Sequence, residues 1–332
     1  MSYRELRRTL YVSAPAVVTF LLLYAVMLQL LGYGYTLYVV SALVFTAVSL
    51  GYTLLGQTRS RPSPEARKGP SEAQGPRRFP TQATVSLLIV FVLAEELLLN
   101  SVYSLLGIIL ALAGFIALPL VGFIIGRNDF RQRVAFETVA LLFATRLVVS
   151  PFPVGLLSLS VYVPVIYTLI VVGISLYVTY RKIPLEEIRV TSAGRNPLLL
   201  GILGVVVGTP LGFIEYRVLN PSPVFLGAAF IQTLGYNLLV LGLFVSIAEE
   251  LLFRGLLLTS LEKRMEPWQA IGFSSIFFGV MHLGWFNPLE VLFAYGAGVI
   301  LAYLAYTTKS LTPAIAAHAL DNFVLFLLAA RF

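Results

Sequence analysis

Long apolar runs separated by short polar or basic segments fill most of this chain. A membrane-spanning helix needs about 20 consecutive apolar residues, and that requirement predicts about eleven spans. The pattern therefore predicts an all-α fold, a polytopic integral membrane helical bundle. The predicted spans lie at about 10–32, 35–56, 84–103, 104–126, 134–150, 156–180, 197–214, 225–250, 267–284, 288–307 and 312–330.

Composition supports a membrane protein and excludes several kinds of chemistry. Hydrophobic residues make up 58% of the chain and charged residues 12%, and the mean hydropathy is +0.88, far above the norm for soluble domains. The absence of cysteine excludes disulfides, thiolate metal ligands and a cysteine nucleophile. The net charge of +7 reflects basic loops, which are typical of the cytoplasmic side of membrane proteins. We therefore expect no nucleic-acid partner.

The basic loops predict one orientation in the membrane. Arg4, Arg7 and Arg8 precede the first span, and the loop at 57–83 carries six more basic residues. Because cytoplasmic loops collect Lys and Arg, both segments belong inside, and alternation of the predicted spans places the later basic clusters on the same side. We expect a multi-pass protein of the cell membrane whose N-terminus and 57–83 loop are cytoplasmic.

The 57–83 segment also divides the chain. It is rich in Pro, Arg, Ser and Gly and cannot bury a core, so it is predicted to be a disordered basic linker. Residues 1–56 then form a two-helix membrane appendage, whose first span lacks the cleavage site of a signal peptide. Residues 84–196 supply accessory spans, and 197–332 form the helical core that holds the candidate chemistry.

Ionisable side chains inside apolar segments are concentrated in the last quarter of the chain. Its two histidines, His282 and His318, each fall within a predicted span, and a third span carries the adjacent carboxylates Glu249 and Glu250. Such groups are costly in hydrocarbon, so three of these segments together indicate a functional site in the membrane. Asn-Pro pairs predict sharp helix starts, and the helical rise from those starts allows the side chains to meet near the midplane.

Spacing gives these side chains different environments. Glu250 and Arg254 are four residues apart on one helical face, where an ion pair can neutralise both charges. Glu249 is rotated by about 100° from Glu250, so it is available to take a proton from water. His318 and Asn322 are also four apart and together suit hydrogen bonding to a developing oxyanion. These groups are sufficient for amide hydrolysis.

Three motifs in order resemble those of a known family. Glu249–Arg254 resembles EExxxR, Phe278–His282 resembles FxxxH, and His318–Asn322 resembles HxxxN. Together they resemble the CPBP family, which comprises the CAAX amino-terminal proteases, or Ras-converting enzymes, and bacteriocin-processing (Abi) relatives. The strong resemblance covers about 197–330. Residues 181–195 resemble a short amphipathic loop that precedes the family's core.

This resemblance implies a glutamate-dependent intramembrane endopeptidase. Its eukaryotic members remove the last three residues from prenylated CaaX tails, so the expected partners are the lipid bilayer and a membrane-embedded or lipidated peptide substrate. No cofactor is required in this mechanism. The implied roles are water activation by Glu249 with His282, an oxyanion site of His318 and Asn322, architecture or substrate contact by Glu250 and Arg254, and packing by Phe278.

Other functions use the same residues. Glu249, His282 and His318 are also a possible ligand set for a zinc-dependent membrane metalloprotease. We favour the metal-free site because the chain has no HExxH motif and an amide one turn from His318 suits an oxyanion better than zinc. A proton-coupled transporter would use the same groups as a relay and would show inverted repeats. A non-catalytic scaffold or immunity-type protein would tolerate loss of Glu249.

One segment imitates the glutamate motif. Residues 94–100 read AEELLLN, against AEELLFR at the motif itself. This segment lacks the arginine and has no histidine near it in sequence, so we expect no catalytic role there. Carboxylates at that depth still need partners, and Arg146 and Glu137 in the fifth span are the candidates.

Overall fold

The computed structural model describes five stretches of the chain. The predicted spans at 10–32 and 35–56, the 1–56 appendage and nearly all of the 57–83 linker lie outside these stretches. The described residues are 81–125, 130–149, 159–191, 194–225 and 230–331.

The described residues are almost entirely helical, as the apolar pattern predicts. α6 is one uninterrupted helical rod made of five successive segments, two of which are π-helical. Two short strands, Val224–Phe225 (β1) and Ala330–Arg331 (β2), pair in parallel. The helices are α1 (Thr81–Leu99), α2 (Ser104–Ile125), α3 (Phe130–Val149), α4 (Leu159–Arg181), α5 (Pro197–Leu219), α6 (Phe230–Tyr236, Asn237–Phe244, Val245–Glu250, Leu251–Leu258 and Thr259–Glu262), α7 (Pro267–Val280), α8 (Pro288–Thr308) and α9 (Thr312–Ala329).

Several helices are long and apolar enough to cross a membrane, which supports an integral membrane protein. Five such segments occur among the described residues, so the predicted count of about eleven spans is not confirmed. α7 has 14 residues, which extend only about 21 Å at the helical rise. The five segments are Ser104–Ile124, Pro197–Leu219, Thr233–Glu262, Pro288–Thr308 and Thr312–Ala329.

The chain divides into two compact units. The described residues of the first unit are 159–183, and those of the second lie within 81–149 and 184–331. Every candidate residue of the site belongs to the second unit. The boundaries inferred from the sequence at 83 and 196 stay predictions.

Capping side chains fix two of the helix starts. Asn196 and Asn287 each precede a proline, and each side-chain oxygen accepts a hydrogen bond from the backbone N–H two residues on, at 2.9 and 3.0 Å. These starts are confirmed. α9 begins at Thr312, whose backbone N–H donates to the Ser310 hydroxyl oxygen at 3.2 Å.

A row of glycines on α5 sets the position of α9. Gly204, Gly208 and Gly212 recur every fourth residue and face α9. A Cβ placed on any of the three would lie 2.6 Å or less from a backbone carbonyl oxygen of α9. This close approach requires the absence of side chains, as in other tightly packed membrane helices. It positions the helix that carries His318 and Asn322.

Candidate active site

The two adjacent glutamates of α6 lie between two π-helical segments. The α-helical turn Val245–Glu250 is preceded by Asn237–Phe244 and followed by Leu251–Leu258. π-Helical turns inside α-helices occur frequently at functional sites. The Glu249 side chain is 20% exposed and the Glu250 side chain is 0% exposed, so adjacent carboxylates occupy different environments.

Glu250 and Arg254 form the ion pair that their spacing predicts. Arg254 Nη1 donates to Glu250 Oε1 at 2.8 Å, and both side chains are fully buried. Arg254 Nη2 also donates to the Gly298 carbonyl at 3.2 Å. The guanidinium lies 4.3 Å from the centre of the Phe278 ring, in range of a cation–π interaction. These contacts link α6, α7 and α8.

His318 lies between the two glutamates. Its Nδ1 donates to Glu250 Oε1 at 2.9 Å, and its Nε2 lies 3.7 Å from Glu249 Oε2. The carboxylate of Glu250 therefore holds the imidazole with Nε2 directed at Glu249. The spacing of the motif predicts one partner for Glu250, Arg254, and the structure adds His318, which lies 68 positions further along the chain.

His282 does not lie inside a helix as predicted. α7 ends at Val280, and His282 occupies the following turn, before the short 3₁₀ segment Leu283–Trp285. Gly284 and the Asn287-Pro288 pair follow in the sequence, and both disfavour continuation of the helix. His282 Nδ1 donates to the Phe278 carbonyl at 2.8 Å, so the neutral ring keeps the lone pair on Nε2.

The Phe278 ring packs against both histidines. Its centroid lies 4.7 Å from that of His282 and 5.7 Å from that of His318, with the His318 ring edge-on. Phe253 meets the same ring edge-to-face at 5.1 Å. The packing role predicted for Phe278 thus includes contact with both imidazoles.

The structure brings the predicted residues together on three helices and one turn. Glu249 lies 3.7 Å from His318 Nε2, and the Phe278 ring contacts the imidazoles of both His318 and His282. Asn322 is partly exposed and follows His318 by one turn of α9. An acid, two imidazoles and an amide in this arrangement are the groups that an amide hydrolase needs.

Three buried carboxyl groups near this site escaped the sequence analysis. Glu215 of α5, Glu290 of α8 and Asp321 of α9 are all buried, and their carboxyl groups lie close enough to interact electrostatically. The rule that singles out ionisable groups in apolar segments applies to Asp321 as well, because it directly precedes Asn322.

The Nε2 atoms of the two histidines and the Glu249 carboxylate are the groups available to a metal ion. Each histidine already donates Nδ1 to an oxygen, as metal-binding imidazoles commonly do. Within the part of the chain that the structure describes, no three His, Cys, Asp or Glu side chains are grouped so as to hold a metal ion.

Comparison with known proteins identifies the segment that contains all three motifs. Residues 231–324 match the family described as type II CAAX prenyl endopeptidase Rce1-like. No curated protein and no solved structure matches the chain. The Rce1-like match confirms the family predicted from the motifs and supports a protease role in general.

Proposed function

We propose that the Rce1-like segment is an intramembrane endopeptidase that hydrolyses a peptide bond of a membrane-associated protein or peptide. The observation that carries this proposal is the position of His318 between Glu250, to which it is bonded, and Glu249, which remains partly exposed. Zinc-dependent, transporter and scaffold functions are not favoured. The family match supports a hydrolase, and the most specific activity that it suggests is that of a CAAX-type protease.

Glu249 is the general base in this mechanism. Its carboxylate takes a proton from a water molecule as the water oxygen attacks the carbonyl carbon of the substrate. His282 orients the same water, because its Nδ1 is committed to the Phe278 carbonyl and its Nε2 lone pair can accept a hydrogen bond. Glu250 does not compete for this role, since Arg254 and His318 already bind its carboxylate.

His318 and Asn322 stabilise the negative charge that develops on the substrate oxygen. A doubly protonated His318 donates through Nδ1 to Glu250 and through Nε2 to the oxyanion, and the Asn322 amide supplies the second donor. When the tetrahedral intermediate collapses, the carbon–nitrogen bond breaks and Glu249 returns its proton to the leaving amine. The products are a carboxylate and an amine, so the atoms of water are accounted for.

The substrate enters from the apolar side of the site. Trp285 and Phe286, three and four residues after His282, are 61% and 75% exposed. Exposed aromatic side chains beside a polar site suit a substrate that carries a lipid or a membrane-embedded segment. We propose a membrane-embedded or lipidated peptide, with a prenylated CaaX tail as one member of that class.

Cleavage by purified protein in liposomes tests this function and its substrate class. The peptides are a farnesylated CaaX peptide, the same peptide without the prenyl group, and a bacterial leader peptide. We expect a membrane-bound peptide of this panel to be hydrolysed at least about tenfold faster than the CaaX peptide without the prenyl group. The reason is that the bilayer concentrates lipidated substrate at the site. Equal or absent cleavage of all three by folded protein would contradict the proposal.

Metal dependence is tested with the same assay. Because a carboxylate general base activates water without a metal ion, activity is expected to stay within about twofold after incubation with excess chelator and removal of the chelate. Protein without chelator, passed over the same column, is the control. Loss of activity that returns on addition of Zn²⁺ would replace this mechanism with zinc-activated water.

A further inference from the structure

The AEELLLN segment of α1 lies against the turn that carries His282. Arg146 of α3 donates through Nε to Glu96 Oε1 and through Nη2 to the Met281 carbonyl, the latter at 2.6 Å. Asn100 extends this contact, because its Nδ2 donates to Glu96 Oε2 at 3.2 Å and its Oδ1 lies 3.2 Å from the position of a Cβ on Gly284. The segment that imitates the glutamate motif therefore approaches the turn at Gly284 through Asn100, and Glu96 binds the arginine that holds Met281 on the other side of His282.

Arginine is suited to this position by its geometry. The guanidinium presents several N–H groups in a rigid plane, so one side chain can bind a carboxylate and a carbonyl at fixed angles. Glu96 is fully buried, whereas the Arg146 side chain is 20% exposed. The carboxylate therefore fixes the direction in which Nη2 points.

The Met281 carbonyl is one of the groups that the early end of α7 exposes. The carbonyl oxygens in the last turn of a helix accept no hydrogen bond from the helix itself. When such a carbonyl is buried, it needs a donor from another part of the protein. Arg146 supplies that donor for the residue directly before His282. The turn begins at the next residue, His282, whose backbone N–H donates to the Gly279 carbonyl at 3.0 Å.

We propose that Arg146, held by Glu96, is a positioning residue for His282. It fixes the Met281 carbonyl and so the direction of the imidazole that orients the attacking water. The proposal rests on the proposed function only for the role of His282 in the reaction. The contact of Arg146 with the turn is a property of the fold and can be tested without any substrate.

A variant that removes both charges separates positioning from charge neutralisation. Arg146→Met alone leaves Glu96 buried without its cation and can prevent folding. Glu96→Gln with Arg146→Met removes both partners of the ion pair together, and the Phe91 and Phe143 rings, 5.0 Å apart, still join α1 to α3. We expect this folded double variant to lose about 10- to 100-fold in kcat with KM changed by less than about threefold.

The control is Arg133→Met, which removes an arginine from the same helix. Arg133 lies over the Phe123 ring, about 20 Å along α3 from Arg146. Its kcat and KM are expected to match the parent protein. A folded double variant with the parent kcat would overturn the positioning role, and so would an equal loss of kcat in the Arg133 variant.

The two histidines provide a second measurement that needs no activity. Protein labelled with ¹⁵N in its imidazole rings gives two sets of ring signals, which His318→Gln assigns. In the double variant we expect the His282 signals to shift or broaden while those of His318 stay unchanged. Unchanged His282 signals would refute the proposal, whatever the activity. Selective movement of His282 in a protein that cleaves no peptide would support positioning and reject only the proposed function.

Discussion

Replacement of Glu249 with glutamine is expected to reduce kcat by about 10²- to 10⁴-fold, the usual contribution of a general base. Glutamine preserves the shape of the side chain but cannot take a proton from water. Glu249 is 20% exposed and lies 3.7 Å from His318 Nε2, so its loss leaves the buried Glu250–Arg254 pair in place. The measurement is kcat in liposomes with the best peptide of the panel, alongside the thermal stability of the purified variant.

Glu186→Gln is the matched control for Glu249. Glu186 is an exposed carboxylate in the turn before α5, within the same unit of the chain. The same chemical change there is expected to leave kcat within about twofold, because surface substitutions away from a site have small effects. Equal kcat in the Glu249 variant and the parent protein would rule out Glu249 as the base that activates water.

Local spacing explains which parts of the site could be predicted. Glu250 and Arg254 face each other because residues four apart share a helical face, and the structure confirms this pair. The Asn-Pro starts of α5 and α8 are equally local, since the capping amide and the proline act within one turn. The three motifs also identified the Rce1-like family, because both histidines of the chain fall within them.

Contacts between distant segments could not be predicted in the same way. His318 binds Glu250 across 68 positions, and Arg146 binds the Met281 carbonyl across 135. Nothing in the spacing of either residue selects these partners, because they depend on how the helices pack. The end of α7 before His282 was also missed, since an apolar run continues through the point where the hydrogen-bonded helix stops.

The glycine row of α5 could be predicted only in part from the sequence. Gly204, Gly208 and Gly212 are spaced four apart in the sequence, a pattern typical of close helix packing in membranes. That spacing identifies a packing face, but it does not identify the partner helix. The structure assigns this face to α9, so the glycines contribute to the position of His318 without contacting it.

Gly208→Ala is expected to destabilise the protein by about 1–3 kcal/mol, the usual cost of overpacking, and to lower kcat. The added methyl group would collide with the backbone of Ala317, the residue before His318, and backbone cannot rotate away as a side chain can. Thermal stability and kcat of the purified variant measure the effect. The shift of α9 would move His318 relative to Glu249, so both quantities should fall together.

Gly201→Ala on the same helix is the control, because a Cβ there meets nothing within 4 Å. Alanine is favoured over glycine in a helix by about 0.5–1 kcal/mol, so this variant is expected to be as stable as the parent protein or more stable. The two substitutions are chemically identical and should change stability in opposite directions. Equal effects at the two positions would show that α5 and α9 do not depend on this close approach, and His318 would then owe its position to Glu250 alone.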